Sequence, residues 1–231
     1  MLSLERFSFG VGDRFAHQAK AQLHAFQILA SHGVSVAPVW NKSNREHTFV
    51  GSEPQSVYDA AKHAVSSLAW NQPWHVDADH IRIETVDRFI PSSDFFTLDV
   101  ADSIAKPASS ESVHAFLNRH PELIGAQQIS GLSVPFTTTR ADIERIISKY
   151  LLAVQEAGKI YRHIASKKGE GNFIAEQIAL VPAGASTEQV ATMVMKIRNQ
   201  FGIQEVSLFN MQRNLILTSE LKPKKYFPSI R

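Results

Sequence analysis

The 231-residue sequence predicts an α/β fold in which parallel strands are joined by helical crossovers. Three observations favour this class. Short apolar segments alternate with segments of helical periodicity, polar residues follow the apolar segments, and 44% of the residues are hydrophobic against 20% charged. No third glycine completes a nucleotide-binding fingerprint after Gly10 and Gly12. A barrel and a doubly wound sheet are both compatible with this pattern.

Four strands are predicted in the first hundred residues, each leading into a polar segment. They cover residues 7–9, 34–40, 74–78 and 95–100. Apolar residues at helical spacing predict one helix through residues 23–30, ending before Gly33, and another through 57–68. Ser52 is the expected N-cap of the second helix.

The remaining sequence continues the alternation of helices and strands. A helix is predicted after Ser109 or Ser110, and the longest helix begins at Thr139, where Asp142 completes a capping box, and runs through Ile164. A fifth strand is predicted at 173–181, a helix at 186–201 and a sixth strand at 205–209.

Composition and charge exclude several classes of protein. The chain has no cysteine, so a metal would have to bind His, Asp or Glu, and a reducing cytoplasm is the expected location. The sequence contains no run of about 18 apolar residues, so neither a signal peptide nor a membrane span is predicted. Residues 222–231 form a basic tail with four basic and no acidic residues, and the rest of the chain is slightly acidic. This confined charge argues against a nucleic-acid partner.

Candidate functional residues concentrate where the predicted strands end. In a parallel α/β domain these ends share one edge of the sheet, so the side chains are expected to converge there. The candidates are Arg14, Asn41, Lys42, Arg45, Glu46, His47, Asp77, Asp79, His80, Asp99, Asp102 and Glu176.

Asp77, Asp79 and His80 form the densest cluster. On an extended segment the two carboxylates face one way and His80 the other, so the three converge only where the strand ends or turns near Asp79. Carboxylate and imidazole groups are typical ligands of zinc, manganese or a related divalent ion. The alternative interpretation is helix capping by Asp79 beside a solvated His80.

The polar segment 41–47 offers cations and proton-transfer groups. Lys42 and Arg45 suit an anionic group, which Arg45 would clamp through two contacts, and Glu46 or His47 suits proton transfer. An ordinary polar surface loop is the alternative interpretation of the same segment.

Five stretches of the sequence together resemble the tagaturonate epimerase family, whose members interconvert tagaturonate and fructuronate by inverting C4. They are residues 7–18, 38–47, 76–80, 93–102 and 153–174. The resemblance covers residues 1–176 and implies a TIM-barrel-like, metal-dependent enzyme of bacterial hexuronate catabolism in the cytoplasm.

The resemblance, together with the chemistry of the strand-end residues, gives each candidate an expected role. Asp79 and His80 are expected to bind a divalent metal ion. The expected catalytic residues are Asp77, Glu46, His47, Asp99 and Glu176, and the expected substrate-binding residues are Arg14, Asn41, Lys42, Arg45 and Asp102.

The sequence departs from the family pattern after Glu176. Residues 177–221 form a divergent strand–helix segment, and six predicted strands cannot close a barrel of eight, which usually takes about 250 residues. An incomplete barrel that self-associates and has little activity alone is therefore expected. Two alternatives stay open: a non-catalytic half-barrel that binds a sugar acid or a partner chain, and a metal-dependent aldolase.

Overall fold

The computed structural model describes Leu2 and residues 4–127, 136–180, 205–210 and 215–217, with side chains through Glu176. The chain divides into two compact units. Residues 1–99 and 157–177 form the first unit, and residues 100–156 and 178–231 belong to the second.

The helices and strands follow one another along the chain in this order: β1 (Ser8–Gly12), α1 (Ala19–Ser31), β2 (Ala37–Ser43), α2 (Asn44–Val50), α3 (Gln55–Ser67), β3 (His75–Ile81), β4 (Phe95–Asp99), α4 (Ser110–Arg119), β5 (Gly125–Gln127), β6 (Phe136–Thr138), α5 (Arg140–Lys168), β7 (Ile174–Leu180), β8 (Glu205–Asn210) and β9 (Leu215–Leu217). None of the described helices combines the length and hydropathy that crossing a bilayer requires.

Strands of the first unit lie in one sheet in the order β1-β2-β3-β4-β7. The pairs from β1 to β4 are parallel, and Ile174 at the start of β7 donates its N–H to the carbonyl of Asp94 at 2.8 Å. The strand order proceeds in one direction without the reversal that defines a doubly wound sheet. The predicted α/β class is confirmed, and the arrangement is compatible with part of a barrel.

Alternation along the strands gives the sheet two faces. On the helix face, Trp40 and Val76 pack with Leu23 and Phe26 of α1 and Ala61 of α3. On the opposite face, which we call the inner face, Val39, Phe95 and Ile174 form a buried cluster against Leu2 and Leu4. The strands are thus buried on both sides, as parallel strands generally are.

Two glycines in β1 have a packing role instead of a nucleotide-binding one. A Cβ atom on Gly12 would lie 2.9 Å from Oδ1 of Asn41, and one on Gly10 would lie 3.1 Å from its Nδ2. β1 therefore extends through Gly12, beyond the predicted end at residue 9, because glycine leaves room for the neighbouring Asn41 side chain.

The prediction for residues 41–47 was wrong in one respect. Asn41 to Ser43 complete β2, and the following residues form the short helix α2, so no surface loop is present there. Ser43 caps α2 by accepting from the Glu46 N–H, and the Glu46 carboxylate accepts from the Ser43 N–H. A complete capping box explains why a helix starts immediately after the strand.

Ser52 does not cap α3 as predicted. Pro54 precedes the first residue of α3, and no side chain caps that helix. The capping box at Thr139 and Asp142 is confirmed, because each side chain accepts a hydrogen bond from the backbone N–H of the other residue. Gly33 follows α1 with a φ of 79°, also as predicted.

The second unit has a cluster of its own, formed by Leu117, Leu123, Ile143, Ile147 and Leu151. β5 and β6 pair antiparallel, as do β8 and β9. The predicted strand at 205–209 is confirmed by β8, whereas the predicted helix at 186–201 and the basic tail 222–231 lie outside the described residues.

Candidate active site

A buried carboxyl group, Asp77, lies at the centre of the inner face. It is in register with Asn41 of β2 and is 6% exposed. Oγ1 of Thr97 lies 3.0 and 2.9 Å from its two carboxylate oxygens. Burial raises the pKa of Asp77 well above its usual value, and the charges of Asp79 and Glu176 add to the shift. Asp77 is therefore suited to holding a proton.

Asp79 follows on the same face, one step nearer the end of β3. Burial raises its pKa, and the negative charges of Glu46 and Asp99 raise it further, while His80 and Arg45 oppose the shift. Asp79 in turn lies close enough to Asp77 to disfavour the ionisation of Asp77. Such repulsion is typical of functional sites, because a folded scaffold gains no stability from it.

His80 reaches this edge through an irregularity in the strand. Its φ is 53°, and the pairing of β3 with β4 shifts register between Ala78 and Ile81. The imidazole lies between two carboxylates, with Nε2 3.6 Å from Asp79 Oδ1 and Nδ1 3.9 Å from Asp99 Oδ2. The sequence predicted that Asp79 and His80 converge only if the strand ends or turns near Asp79, and the chain does turn at His80. Bulges of this kind commonly redirect side chains beside active sites.

A pocket of about 320 Å³ opens beside these residues. Its lining combines two guanidinium groups, one carboxylate, an imidazole and three smaller polar groups. The lining residues are Ser43, Asn44, Arg45, His80, Arg82, Thr85 and Asp99. The pocket thus has the mixture of charged and hydrogen-bonding groups that a polyhydroxylated anion requires.

Lys42 and His47 do not line this pocket. Each is 1% exposed, and the Lys42 side chain follows Trp40 onto the helix face. The Lys42 Nζ donates to Ser52 Oγ at 2.8 Å, and His47 Nδ1 lies 2.9 Å from the same oxygen. The structure therefore places these two predicted site residues behind the sheet, in a network with Ser52.

The protonation states of this network are complementary. Burial lowers the pKa of His47 to about 4, and the charges of Lys42 and Arg88 contribute. A neutral His47 accepts the Ser52 hydroxyl proton at Nδ1 while Ser52 accepts from Lys42. Burial also lowers the pKa of Lys42, opposed by Glu46 and Asp13.

Three other candidates occupy separate positions. Glu46 uses one carboxylate oxygen in the α2 capping box, and its other oxygen lies 3.7 Å from Nε of Arg14, which is half exposed. Asp102 belongs to the second unit, in the 3₁₀ turn Ala101–Ser103.

The donor chemistry of Asp79 and His80 suits a divalent cation, but the described ligands are few. No group of three or more His, Asp or Glu side chains able to hold a metal ion occurs in the described part of the chain. The two imidazole nitrogens of His80 also face different carboxylates. Asp79 and His80 therefore offer two donors, and the described residues alone do not complete a coordination shell.

Several site residues were not selected from the sequence. Thr97 lies two positions before Asp99, so period-two alternation places it on the same face as that selected acid. Arg82 follows the irregularity at His80, and only the pocket brings it beside Asp99. Ser52 was predicted only as an N-cap, and that prediction gave no indication of its hydrogen bonds with Lys42 and His47.

Comparison with known proteins confirms the family resemblance. A family model described as tagaturonate epimerase matches residues 1–177. Comparison with curated proteins gives no significant match.

Among solved structures, the native fructuronate-tagaturonate epimerase from Cohnella laeviribosi is 16% identical with a TM-score of 0.69, over 88% of this chain and 43% of that one. A structure of the same enzyme with one glycerol is 17% identical with a TM-score of 0.70, over 88% and 43% of the two chains. At this identity the likeness shows a shared fold, and this chain spans less than half the length of these structures.

Proposed function

The chain belongs to the tagaturonate epimerase family, and from this membership we propose that its site serves the C4 epimerisation that interconverts tagaturonate and fructuronate. The observation that carries the proposal is the group of carboxylates on the inner face, Asp77, Asp79 and Asp99, beside a pocket that contains two arginines. This combination supplies proton-transfer groups and a counter-charge for an anionic sugar.

The reaction poses a specific chemical problem. C4 lies β to the C2 ketone, so simple enolisation exchanges the proton on C3 and leaves C4 unchanged. Cleavage of the C3–C4 bond solves it. A base takes the proton of the C4 hydroxyl, C4 becomes an aldehyde, and the bonding electron pair is held as an enediolate across C2 and C3. Addition to the other face of the aldehyde re-forms the bond with C4 inverted.

The side chains of the inner face match these requirements. We assign proton transfer to Asp77, Asp99 and Glu176, which carry carboxyl groups on three neighbouring strands. Asn41, in register with Asp77, is assigned to hydrogen-bond a sugar hydroxyl. Arg45 lines the pocket and is assigned to the uronate carboxylate.

Five other candidates receive supporting roles or stay predictions. Lys42 and His47 hold the α2 region through Ser52, and Glu46 caps α2. Their buried or capped positions support a role in shaping the site, with Arg14 as the outer partner of Glu46. The substrate contact of Asp102 stays a prediction.

We further propose that Asp79 and His80 hold a divalent ion such as zinc or manganese. The ion would supply electrophilic stabilisation of the negative charge that develops during bond cleavage. Support comes from the repulsion among Asp79, Asp99 and Glu46, which a cation would relieve.

Turnover tests the proposal directly. Tagaturonate labelled with ¹³C at C4 is incubated with the chain and Mn²⁺ or Zn²⁺ and followed by NMR. Conversion of the C4 signal to that of fructuronate, lost in Asp77→Asn, is the expected result. Free three-carbon fragments would indicate an aldolase, and binding without either product would indicate a sugar-acid-binding half-barrel. Either outcome would contradict the epimerase assignment for this chain.

Location and assembly complete the proposal. The reaction is assigned to the cytoplasm of a bacterium, on the resemblance and the cysteine-free composition. Homo-oligomerisation, expected from the strand count, stays a prediction that light scattering would check.

A further inference from the structure

Asn44 is the first residue of α2 and lines the pocket, and no role has been given to it above. The helix does not need its side chain, because Ser43 and Glu46 form the capping box. We propose that Asn44 is a substrate-binding residue whose Nδ2 donates a hydrogen bond to an oxygen of the sugar acid. Arg88 is the positioning residue that orients this amide. The proposal rests on the proposed function and deepens it.

One contact decides which atom of the Asn44 amide faces which way. Nη1 of Arg88 lies 2.9 Å from Oδ1 of Asn44. A guanidinium carries donors only, so the amide must present its oxygen to Arg88. Within the described part of the chain, no group accepts a hydrogen bond from Nδ2. Asn44 therefore brings two N–H donors to the pocket, and a sugar acid offers hydroxyl, carbonyl and carboxylate oxygens as acceptors.

Arg88 approaches Asn44 from a firmly anchored turn. It ends the 3₁₀ turn Val86–Arg88, which follows β3. The next residue, Phe89, is 1% exposed, and its ring packs edge-on against the His47 ring with 5.6 Å between the centroids. Packing on this side therefore fixes the backbone from which the Arg88 side chain extends.

Three further hydrogen bonds hold the guanidinium of Arg88. Nε and Nη2 donate to the two carboxylate oxygens of Glu53 at 2.8 and 3.0 Å, and Nη2 also donates to the Ser52 carbonyl at 2.8 Å. The Glu53 side chain is 72% exposed, so this ion pair adds little to stability. The two-oxygen contact does fix the plane of the guanidinium, which is what a positioning role requires.

Arg88 also joins two segments that line the pocket. Residues 43–45 come from the end of β2 and the start of α2, while His80, Arg82 and Thr85 come from the end of β3 and the segment after it. Arg88 continues the second segment and donates to Asn44 in the first. Without this bond the amide would have to be ordered when the substrate binds, and affinity would fall.

The variant Asn44→Asp separates a binding role from a structural one. A carboxylate keeps an oxygen for Arg88 and suits the first turn of a helix, so the melting temperature should stay at or above that of wild type. It presents an acceptor in place of Nδ2, and we expect the dissociation constant for tagaturonate to rise about 10- to 100-fold in calorimetric titration of the full chain. Asn71→Asp, exposed before the start of β3, is the charge-matched control and should bind like wild type.

A double-mutant cycle tests the positioning role of Arg88. Arg88→Lys keeps the charge without the rigid fork of donors, and we expect it to weaken tagaturonate binding about fivefold. In the Asn44→Ala background the same change should weaken binding less than about twofold, because the amide is absent. Glu53→Gln keeps an acceptor for Arg88 and should bind like wild type. Equal losses from Arg88→Lys in both backgrounds would show that Arg88 does not act through Asn44.

The outcomes separate this inference from the proposed function. If wild type binds tagaturonate and Asn44→Asp binds it equally well, Asn44 makes no contact and the proposed function stands. If Asn44→Asp loses binding and also melts well below wild type, its role is structural and the inference is overturned. If wild type does not bind tagaturonate, the inference and the proposed function both fail. If Asn44→Asp does not fold at all, the double-mutant cycle, which does not use it, decides.

Discussion

Both faces of the sheet bury polar side chains, but only the inner face brings like charges close together. On the helix face, Lys42, Ser52 and His47 form a chain of hydrogen bonds in which Lys42 donates to Ser52 and Ser52 donates to His47. On the inner face, Asp77 and Asp79 lie near each other and near further carboxylates, and the pKa of each is raised, first by burial and then by like charge. A satisfied network stabilises a fold, whereas repelling charges indicate a site that awaits a proton, a cation or a substrate.

The largest expected effect comes from breaking the satisfied network. Lys42→Ala removes a buried side chain and leaves the Ser52 hydroxyl oxygen without its donor. We expect the free energy of unfolding to fall by about 3 kcal/mol, measured by urea denaturation. Lys62→Ala, on the exposed side of α3, is the matched control and should change it by less than about 0.5 kcal/mol. A small loss for Lys42→Ala would contradict the structural role.

His75 sharpens the comparison, because it is a buried group at the base of the inner face whose charge is compensated. Nδ1 and Nε2 each lie 2.9 Å from a carboxylate oxygen, of Asp94 and Glu5 respectively, and Lys168 is the nearby cation that faces Asp94. Burial lowers the pKa of His75, but Asp94 and Glu5 outweigh it, and the net shift is upward.

This upward shift fixes the sign of the pH dependence. The stabilisation is complete below the unfolded-state pKa of about 6.5 and is lost as pH rises through the higher folded-state pKa. Relative to His75→Gln, wild type should be more stable by about 2 kcal/mol at pH 6, and the difference should shrink by pH 9. Urea denaturation at the two pH values measures it. A difference that grows with pH would show that His75 is neutral in the folded protein.

Ser43 connects the two faces, because it ends β2 and caps α2. Ser43→Ala removes the side-chain acceptor for the Glu46 N–H, and we expect a loss of about 1 kcal/mol in thermal denaturation. Ser43→Thr keeps a hydroxyl acceptor and should retain most of the stability. Equal losses in the two variants would indicate that packing and not capping determines the choice of residue.

The smallest effect has the opposite sign. Asp77→Asn removes a carboxyl group that burial and the charges of Asp79 and Glu176 hold against ionisation, while its amide can still pair with Thr97. We expect a gain of about 0.5 kcal/mol at pH 7, together with the loss of epimerisation. Destabilisation measured in urea would place Asp77 among the structural groups instead.

Sequence reasoning identified the inner face because acids accumulate at strand ends. Asp77, Asp79 and Asp99 follow apolar runs whose length and spacing define strands, and the parallel order brings those runs together. Family membership and the α/β class rested on longer patterns of the same kind. These features depend on local sequence and on the general geometry of parallel sheets.

The remaining features depend on tertiary partners. Segment 41–47 is polar enough to predict a loop, but Lys42 becomes acceptable in a strand because Ser52 supplies an acceptor for its ammonium group behind the sheet. The turn at His80 results from a register shift between β3 and β4 that no local signal encodes. Arg82 became a candidate only when the pocket brought it beside Asp99.

Divalent-metal binding tests the central distinction between the two faces most directly. Mn²⁺ is titrated into the full chain at pH 7.5 and the free ion is measured by electron paramagnetic resonance. We expect wild type to bind one ion, Asp79→Asn to bind at least about tenfold more weakly, and Asp142→Asn, which removes an exposed carboxylate at the start of α5, to match wild type. Equal binding by wild type and Asp79→Asn, or no binding by wild type, would contradict the assignment of the inner face as the metal-dependent site.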